Sequence, residues 1–447
     1  MALSDSSQKV QSRQSQIGVL GAAAIGVGGM VGGGIFAVLG TAVTLAHGGT
    51  PIAFAVAGMV ALLTSYSYAK LSVQYPAAGG TIVFLDQAFG VNLLTSTLNV
   101  SLWLSYLVTI ALYASAFGSY AMTFFPDAPE SYKHIFLSLA ILLPALINLL
   151  NSDLVSKSET VIVTLKLFLL AIVIVAGSRH VDVARLQVST WASPVSLVVG
   201  GMVIFVAYEG FELIANAAED VRDPAYTLPR AYYGCVIFVI LLYVLVAIIT
   251  VGSVSEATIS SAKDYALAAA AQPALGHVGF VMVSVSALLA TFSAINATIY
   301  GNARLGFAIA KDGEMPELFE RKVWSRPLAG VLLTTGLSLL LANLVDLQAI
   351  AIMGSAGFLV IFAAVNAAAF RLSSTVKARR VITGLATLSC VAALAALLGN
   401  TYETNPTALW VFAAMMTGSL LFELAYPRMV SRPIRNLLLH RHRAAHQ

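Results

Sequence analysis

Apolar residues run along this chain in long stretches, from Ile17 to beyond Leu420, parted by short polar connections. A helix that crosses the hydrocarbon core of a bilayer needs about 20 mostly apolar residues. Laid along the chain, that length predicts spans at 17–46, 51–75, 92–122, 134–151, 159–177 and 193–218, then at 228–252, 275–309, 328–344, 348–371, 380–399 and 406–427. Twelve spans are predicted.

Two of them depart from the rest. The first contains Gly26-Val27-Gly28-Gly29-Met30-Val31-Gly32-Gly33-Gly34, six glycines in nine residues. Each glycine costs a helix about 1 kcal/mol relative to alanine, so this stretch should not stay regular. The sixth holds Phe205-Val206-Ala207-Tyr208-Glu209-Gly210-Phe211-Glu212, two carboxylates and a glycine at depth. Irregular backbone inside a bilayer is tolerated only where it is buried in protein or lines a cavity. Tight packing of helices through small residues explains the glycine run equally well when it is taken alone. The first and sixth spans, however, each open a block of five. Because five is odd, the second block runs opposite to the first, as in an inverted-repeat transporter with two broken helices at its centre. The predicted units are a tail (1–16), a first repeat (17–177), a second repeat (193–371), two added helices (380–427) and a basic tail (428–447).

Composition agrees. Of 447 residues, 58% are hydrophobic and only 10% charged, against about 25% charged in soluble chains. That excludes a globular cytosolic enzyme, a nucleic-acid binder and a disordered protein, and leaves the lipid bilayer as the medium. Cys235 and Cys390 both lie in apolar runs without metal spacing, so they read as core-filling residues. The first apolar run is too long for a signal-peptide core and no cleavage site follows it, so it reads as a retained span. The formal charge of +4 has to be read by location. With the N-terminus inside, twenty of the 25 Lys and Arg residues fall on cytoplasmic segments, among them Lys9, Arg13, Lys70, Arg304 and Arg321. Lys133, Arg179, Arg185 and Lys263 fall outside, and Lys166 lies within a span. Basic residues accumulate on the cytoplasmic side, which places both termini there. Short loops suggest a prokaryotic plasma membrane.

Four blocks resemble the amino acid–polyamine–organocation superfamily. GMVGGGIF (29–36) is similar to its first-helix signature, and PAAGGTIVFLDQAFG (76–90) to its first inner loop. FVAYEGFELIANAAEDVRDPAYTLPRA (205–231) is similar to its broken sixth helix and acidic loop, and ATIYGNARLGFAIAKDGEMPELF (297–319) to its eighth helix and the loop after it. They occur in the family's order and spacing. The resemblance implies an all-α membrane protein with a five-plus-five inverted-repeat, LeuT-like fold, two extra C-terminal helices, and amino acids as the usual cargo.

A free amino acid presents a carboxylate and an ammonium. Exposed N–H groups at a half-helix N-terminus suit the first, and unwound carbonyls suit the second. With glycine at Gly32, Gly33 and Gly34, no Cβ blocks the approach. The carboxylate is therefore assigned to the N–H groups of Gly33, Gly34 and Ile35, which the resemblance supports. The ammonium is assigned to carbonyls of Met30 and Val31 and of Phe205, Val206 and Tyr208, with Ala207 in the same stretch. Tyr106, Tyr208, Phe211, Ile295 and Asn296 are candidates to face the cargo's side chain; each also suits the bundle's packing, and Asn296 suits a bond to a neighbouring helix.

Lys166, Glu209 and Glu212 stand deep in spans, where ionisable groups are functional candidates by default. Lys166 either snorkels to the inner surface or points inward. The resemblance supplies the second reading: in a proton-coupled branch, a fifth-helix lysine lies against the first broken helix where sodium-coupled relatives hold an ion. Lys166 therefore predicts proton coupling, with no other cofactor. Glu212 reads as a hydrogen-bonded packing or gating partner. Glu209 suits a cationic cargo side chain, proton transfer with Lys166, or a polar crevice, and a place in the pocket would favour a basic amino acid or a polyamine. The loop Glu219–Pro224 is either a solvated loop or an inner gate closed by ion pairs, joined by Arg304 and Lys311-Asp312-Gly313. The tail histidines His440, His442 and His446 read as part of a basic tail rather than a metal site. Neither HExxH nor GxSxG is present, which argues against an enzyme. An amino acid symporter is the leading expectation, an exchanger of amino acids or polyamines comes next, and a nutrient sensor that does not transport is the remaining alternative.

Overall fold

The computed structural model describes residues 17–77, 79–150, 153–311, 313, 315–320, 322–323 and 326–429. The predicted N-terminal tail, Arg321, Asp312 and the chain from 430 onward lie outside the described residues.

The bundle is all-α, as lipid requires of a chain that cannot hydrogen-bond its backbone to water. The helices are α1 (Val19–Met30), α2 (Gly34–Ala46), α3 (Thr50–Gln74), α4 (Thr81–Phe89), α5 (Leu93–Met122), α6 (Ser131–Leu150), α7 (Asp153–Gly177) and α8 (Pro194–Val203). After these come α9 (Leu213–Asn216), α10 (Pro224–Ser253), α11 (Glu256–Ser261), α12 (Ala266–Lys311), α13 (Leu328–Leu344), α14 (Leu347–Arg371), α15 (Arg380–Thr404) and α16 (Pro406–Met429). Between α12 and α13 runs a small ribbon of two short strands, β1 (Lys322–Val323) and β2 (Arg326–Pro327).

Among the described residues, nine helices are long and apolar enough to cross a membrane unaided. Two further pairs reach that length only as bent units: α1 with α2, bent by 51°, and α8 with the segment 205–216, bent by 53°. These are the two spans whose glycine and carboxylate content predicted a break. The 17-residue α13 occupies the place of the predicted ninth span. Within α12 the backbone leaves the helix at Gly276, close to where the eighth span was predicted to begin. The connection at 76–90 is no loop throughout. Residues 81–89 form α4, because six of its nine residues are apolar and pack among buried neighbours.

The main apolar cluster of the core surrounds the two broken spans, and three smaller ones lie beside it. At its centre Tyr68 packs edge-on against Phe211 and Phe362, with ring centroids 5.5 Å and 5.7 Å away. Phe205 packs against Phe362 as well, at 5.9 Å.

Candidate functional site

The first break is short. α1 ends at Met30, and α2 starts at Gly34 after a three-residue turn. The second is longer: a single 3-10 turn, Phe205–Tyr208, is followed by extended Glu209 and by Gly210 at φ 124° before α9 begins. Each break frees backbone groups that must find partners. Hydroxyls from neighbouring helices supply them. Tyr243 of α10 donates to the carbonyl of Met30 at 2.6 Å and lies 3.1 Å from that of Ala207, so one side chain joins both breaks. Ser355 of α14 accepts from the N–H of Val206 at 2.9 Å and donates to the carbonyl of Val203 at 2.8 Å.

A cavity lies beside this crossing, walled by Gly28 and Gly29 of α1, Tyr106 and Tyr113 of α5, Lys166 of α7 and Glu209. It reaches the surface past Asn216 and Gly301, both exposed. On α7, Val161 and Phe168 face outward at 67% and 61% exposure, whereas Lys166 is 3% exposed. Its ammonium donates to the carbonyl of Gly28 at 3.1 Å. The side chain points into the bundle, and snorkelling is the reading that falls.

The two carboxylates are held by tyrosines of α5. Tyr113 donates to Oε2 of Glu209 at 3.3 Å, and Tyr106 to Oε1 of Glu212 at 3.1 Å. Glu212 also accepts from the N–H of Gly210 at 2.7 Å, so it caps the turn that precedes it. Thr109 reaches Glu209 too, and the carboxyl groups of Glu209 and Glu212 touch each other.

Of the predicted site residues, Tyr106, Lys166 and Glu209 line the cavity. The backbone groups assigned to cargo do not open onto it. Met30, Val31, Ile35 and Phe205 through Tyr208 are fully buried. The Met30 carbonyl holds Tyr243, and the Val206 carbonyl accepts from the N–H of Glu209 at 3.2 Å. Gly32, Gly33 and Gly34 are buried as well. A Cβ on Gly33 would stand 2.4 Å from the ring of Tyr113, and one on Gly34 would stand 2.8 Å from the Ala207 Cα, so both approaches are covered. Three of the side-chain candidates lie away from this cavity. Phe211 sits in the aromatic core because its ring packs on Tyr68 and Phe362. Ile295 is fully buried and does not line the cavity. Asn296 faces α6, where Asn148 donates to its Oδ1 at 2.7 Å, the bond between helices that the sequence offered as its other role. Tyr208 turns to α3 and donates to the carbonyl of Phe54 at 2.8 Å.

Tyr113 and Tyr243 are absent from the sequence candidates. Tyr113 had a signal: it lies seven residues after Tyr106, on the same helix face. Tyr243 had none, since a tyrosine in an apolar run does not reveal which backbone its hydroxyl meets.

The two ends of the bundle differ. Among the described residues the acidic loop after α9 makes no ion pair; Arg230 and Arg304 instead lie over the rings of Tyr226 and Tyr300. The loop joins the first span through backbone, with Ile17 N–H on the Asp220 carbonyl and Arg222 N–H on the Ile17 carbonyl. At the end predicted to be outer, Lys133 pairs with Asp264 at 3.1 Å and Lys263 bonds Gln348 at 2.7 Å. These contacts lie in the wall of a second, wider pocket at that end, whereas the first cavity runs toward Asn216 and Gly301.

The model of the family described as Amino acid permease matches residues 17–421. The Inner membrane transport protein YbaT of Escherichia coli is 33% identical over 93% of this chain and 96% of its own. An uncharacterised protein of Methanocaldococcus jannaschii is 32% identical over 96% of this chain and 99% of its own. Cationic amino acid transporter 9, chloroplastic, of Arabidopsis thaliana is 29% identical over 68% of this chain and 57% of its own.

Proposed function

The chain belongs to the amino acid permease family, and from that membership we propose that it carries amino acids across the plasma membrane by proton-coupled symport with alternating access. The observation that carries the coupling is Lys166, buried at the cavity wall and donating to the Gly28 carbonyl two residues before α1 ends. Loss of one proton removes this charge from the edge of the break. Cargo at the break and the proton on Lys166 then act on the same backbone.

The N–H groups of Gly33, Gly34 and Ile35 take the cargo's carboxylate, and the carbonyls of Met30, Val31 and the sixth-span turn take its ammonium. Tyr113 and Tyr243 stand on this backbone, so cargo binds by moving them. The cavity, about 70 Å³, holds on the order of five water molecules. It widens to admit cargo. Glu209 lines it, but its Oε2 already accepts from Tyr113. A neutral side chain suits this wall better than a cationic one. The chain is arranged as inverted repeats over 17–177 and 193–371 with both termini cytoplasmic. The matching bends of the first and sixth spans and the distribution of basic residues support that arrangement.

The test is uptake of a mixture of labelled amino acids into liposomes carrying an inward proton gradient, an inward sodium gradient or none. Proton-driven accumulation that Lys166→Ala abolishes is the expected result. Sodium-driven accumulation would remove the role given to Lys166. Accumulation only in vesicles preloaded with amino acids would make the protein an exchanger.

A further inference from the structure

Resting on that reading of the breaks, we propose that Tyr113 is a switch that passes its hydroxyl from Glu209 to the cargo's carboxylate, and that Glu209 takes up a proton when it does.

Two independent contacts locate the switch. The Tyr113 ring lies against Gly33: a Cβ there would meet its Cδ1 at 2.4 Å and its Cγ at 2.7 Å. The hydroxyl at the far end of the same ring donates to Oε2 of Glu209 at 3.3 Å. One side chain thus lies against Gly33 at the first break and serves as a donor to a buried carboxylate 96 positions along the chain. A second ligand carboxylate cannot reach Gly33 while the ring stays, and the ring cannot leave without taking its proton away from Glu209.

The consequence follows from the donor inventory. A tyrosine hydroxyl has one proton to give. When it turns to the incoming carboxylate, the hydrogen bond to Glu209 breaks and a hydrogen bond to the cargo forms. Glu209 then faces Glu212 of its own span, Tyr106 and Thr109 of α5 and Tyr243 of α10, while Lys166 of α7 lines the same cavity. A buried carboxylate that loses a donor is stabilised by protonation. A proton reaching it through the cavity then binds Glu209. Tyr113 therefore positions Glu209 to sense cargo, and the linkage is reciprocal: protonating Glu209 releases Tyr113 and uncovers Gly33.

The test uses the purified full chain in detergent, in weakly buffered solution, with each common L-amino acid in turn. A rise in the melting temperature identifies the amino acids that bind, and a pH-sensitive dye reads the protons taken up on mixing. Tyr113→Phe keeps the ring and removes only the donor. With an amino acid that binds, it is expected to take up about one proton fewer than the wild type while still binding, with affinity lower by about tenfold for one lost hydrogen bond. Glu209→Gln is expected to lose the same proton. Equal proton uptake by wild type, Tyr113→Phe and Glu209→Gln overturns the switch and leaves amino acid transport standing. If no amino acid raises the melting temperature or enters liposomes, the transport reading fails and the switch with it.

Discussion

Gly29 and Gly210 meet backbone to backbone where the two broken spans cross. A Cβ on Gly29 would lie 2.8 Å from both the Cα and the carbonyl oxygen of Gly210. One on Gly210 would lie 2.4 Å from the carbonyl carbon of Gly29 and 2.5 Å from the nitrogen of Met30. Every atom in the way is main chain, so no rotamer change can relieve the overlap. Gly210 also stands at φ 124°, which side-chain-bearing residues rarely adopt. Gly210→Ala should therefore destabilise the fold by about 1–3 kcal/mol from overpacking alone. Thermal unfolding in detergent checks this, with Gly234→Ala as the control. Gly234 is exposed and has nothing within 4 Å of its Cβ position, so its melting temperature should hold or rise.

The breaks were legible in the sequence because glycine is costly in a helix whatever surrounds it. Six of them between 26 and 34 left tight packing or a special backbone, and Gly210 between two glutamates five spans later decided for the backbone. Lys166 was legible for a similar reason, since a charge in a span needs a partner inside the protein. The facing of aromatic and amide side chains was not. Phe211 and Asn296 sit on apolar spans, where no polar stripe tells one side of a helix from another, and only the packing of α6 and α14 decided where they point. Which half of a break is covered was equally hidden, because it depends on where the rings of Tyr113 and Tyr243 rest.

Asn296 gives a direct check on that placement. Its amide bonds Asn148 across α6 and α12 rather than facing the cavity. Asn296→Ala should cost about 0.6 kcal/mol, the typical worth of a hydrogen bond between membrane helices. The order of preference among amino acids in a competition uptake assay should stay the same. A changed order would return Asn296 to the cargo's side.

Lys166 should set the pH dependence of uptake. The group can exist charged or neutral, whereas an arginine at the same place stays charged and a methionine stays neutral. Initial uptake rates of the wild type should vary with pH on the side the cavity faces. Lys166→Arg and Lys166→Met should each flatten that profile and lower the maximal rate by about tenfold or more. A profile in Lys166→Met with the slope of the wild type would show that the proton travels elsewhere.

Tyr243 holds carbonyls from both breaks with a single hydroxyl, in the position a cargo ammonium would take. The side chain is fully buried, so Tyr243→Phe leaves the carbonyls of Met30 and Ala207 without that donor in a place water does not reach. The cost of an unsatisfied buried polar group is about 1–3 kcal/mol, and the variant should melt at a lower temperature than the wild type. An ammonium brings three donors of its own. In the wild type it has to displace the tyrosine's hydroxyl from these carbonyls; in Tyr243→Phe it meets them unpaired. Cargo should then raise the melting temperature of the variant more than that of the wild type at the same concentration, because tighter binding to the folded state stabilises it further. Equal shifts in the two proteins would mean that the ammonium binds elsewhere and that Tyr243 only closes the backbone between the breaks.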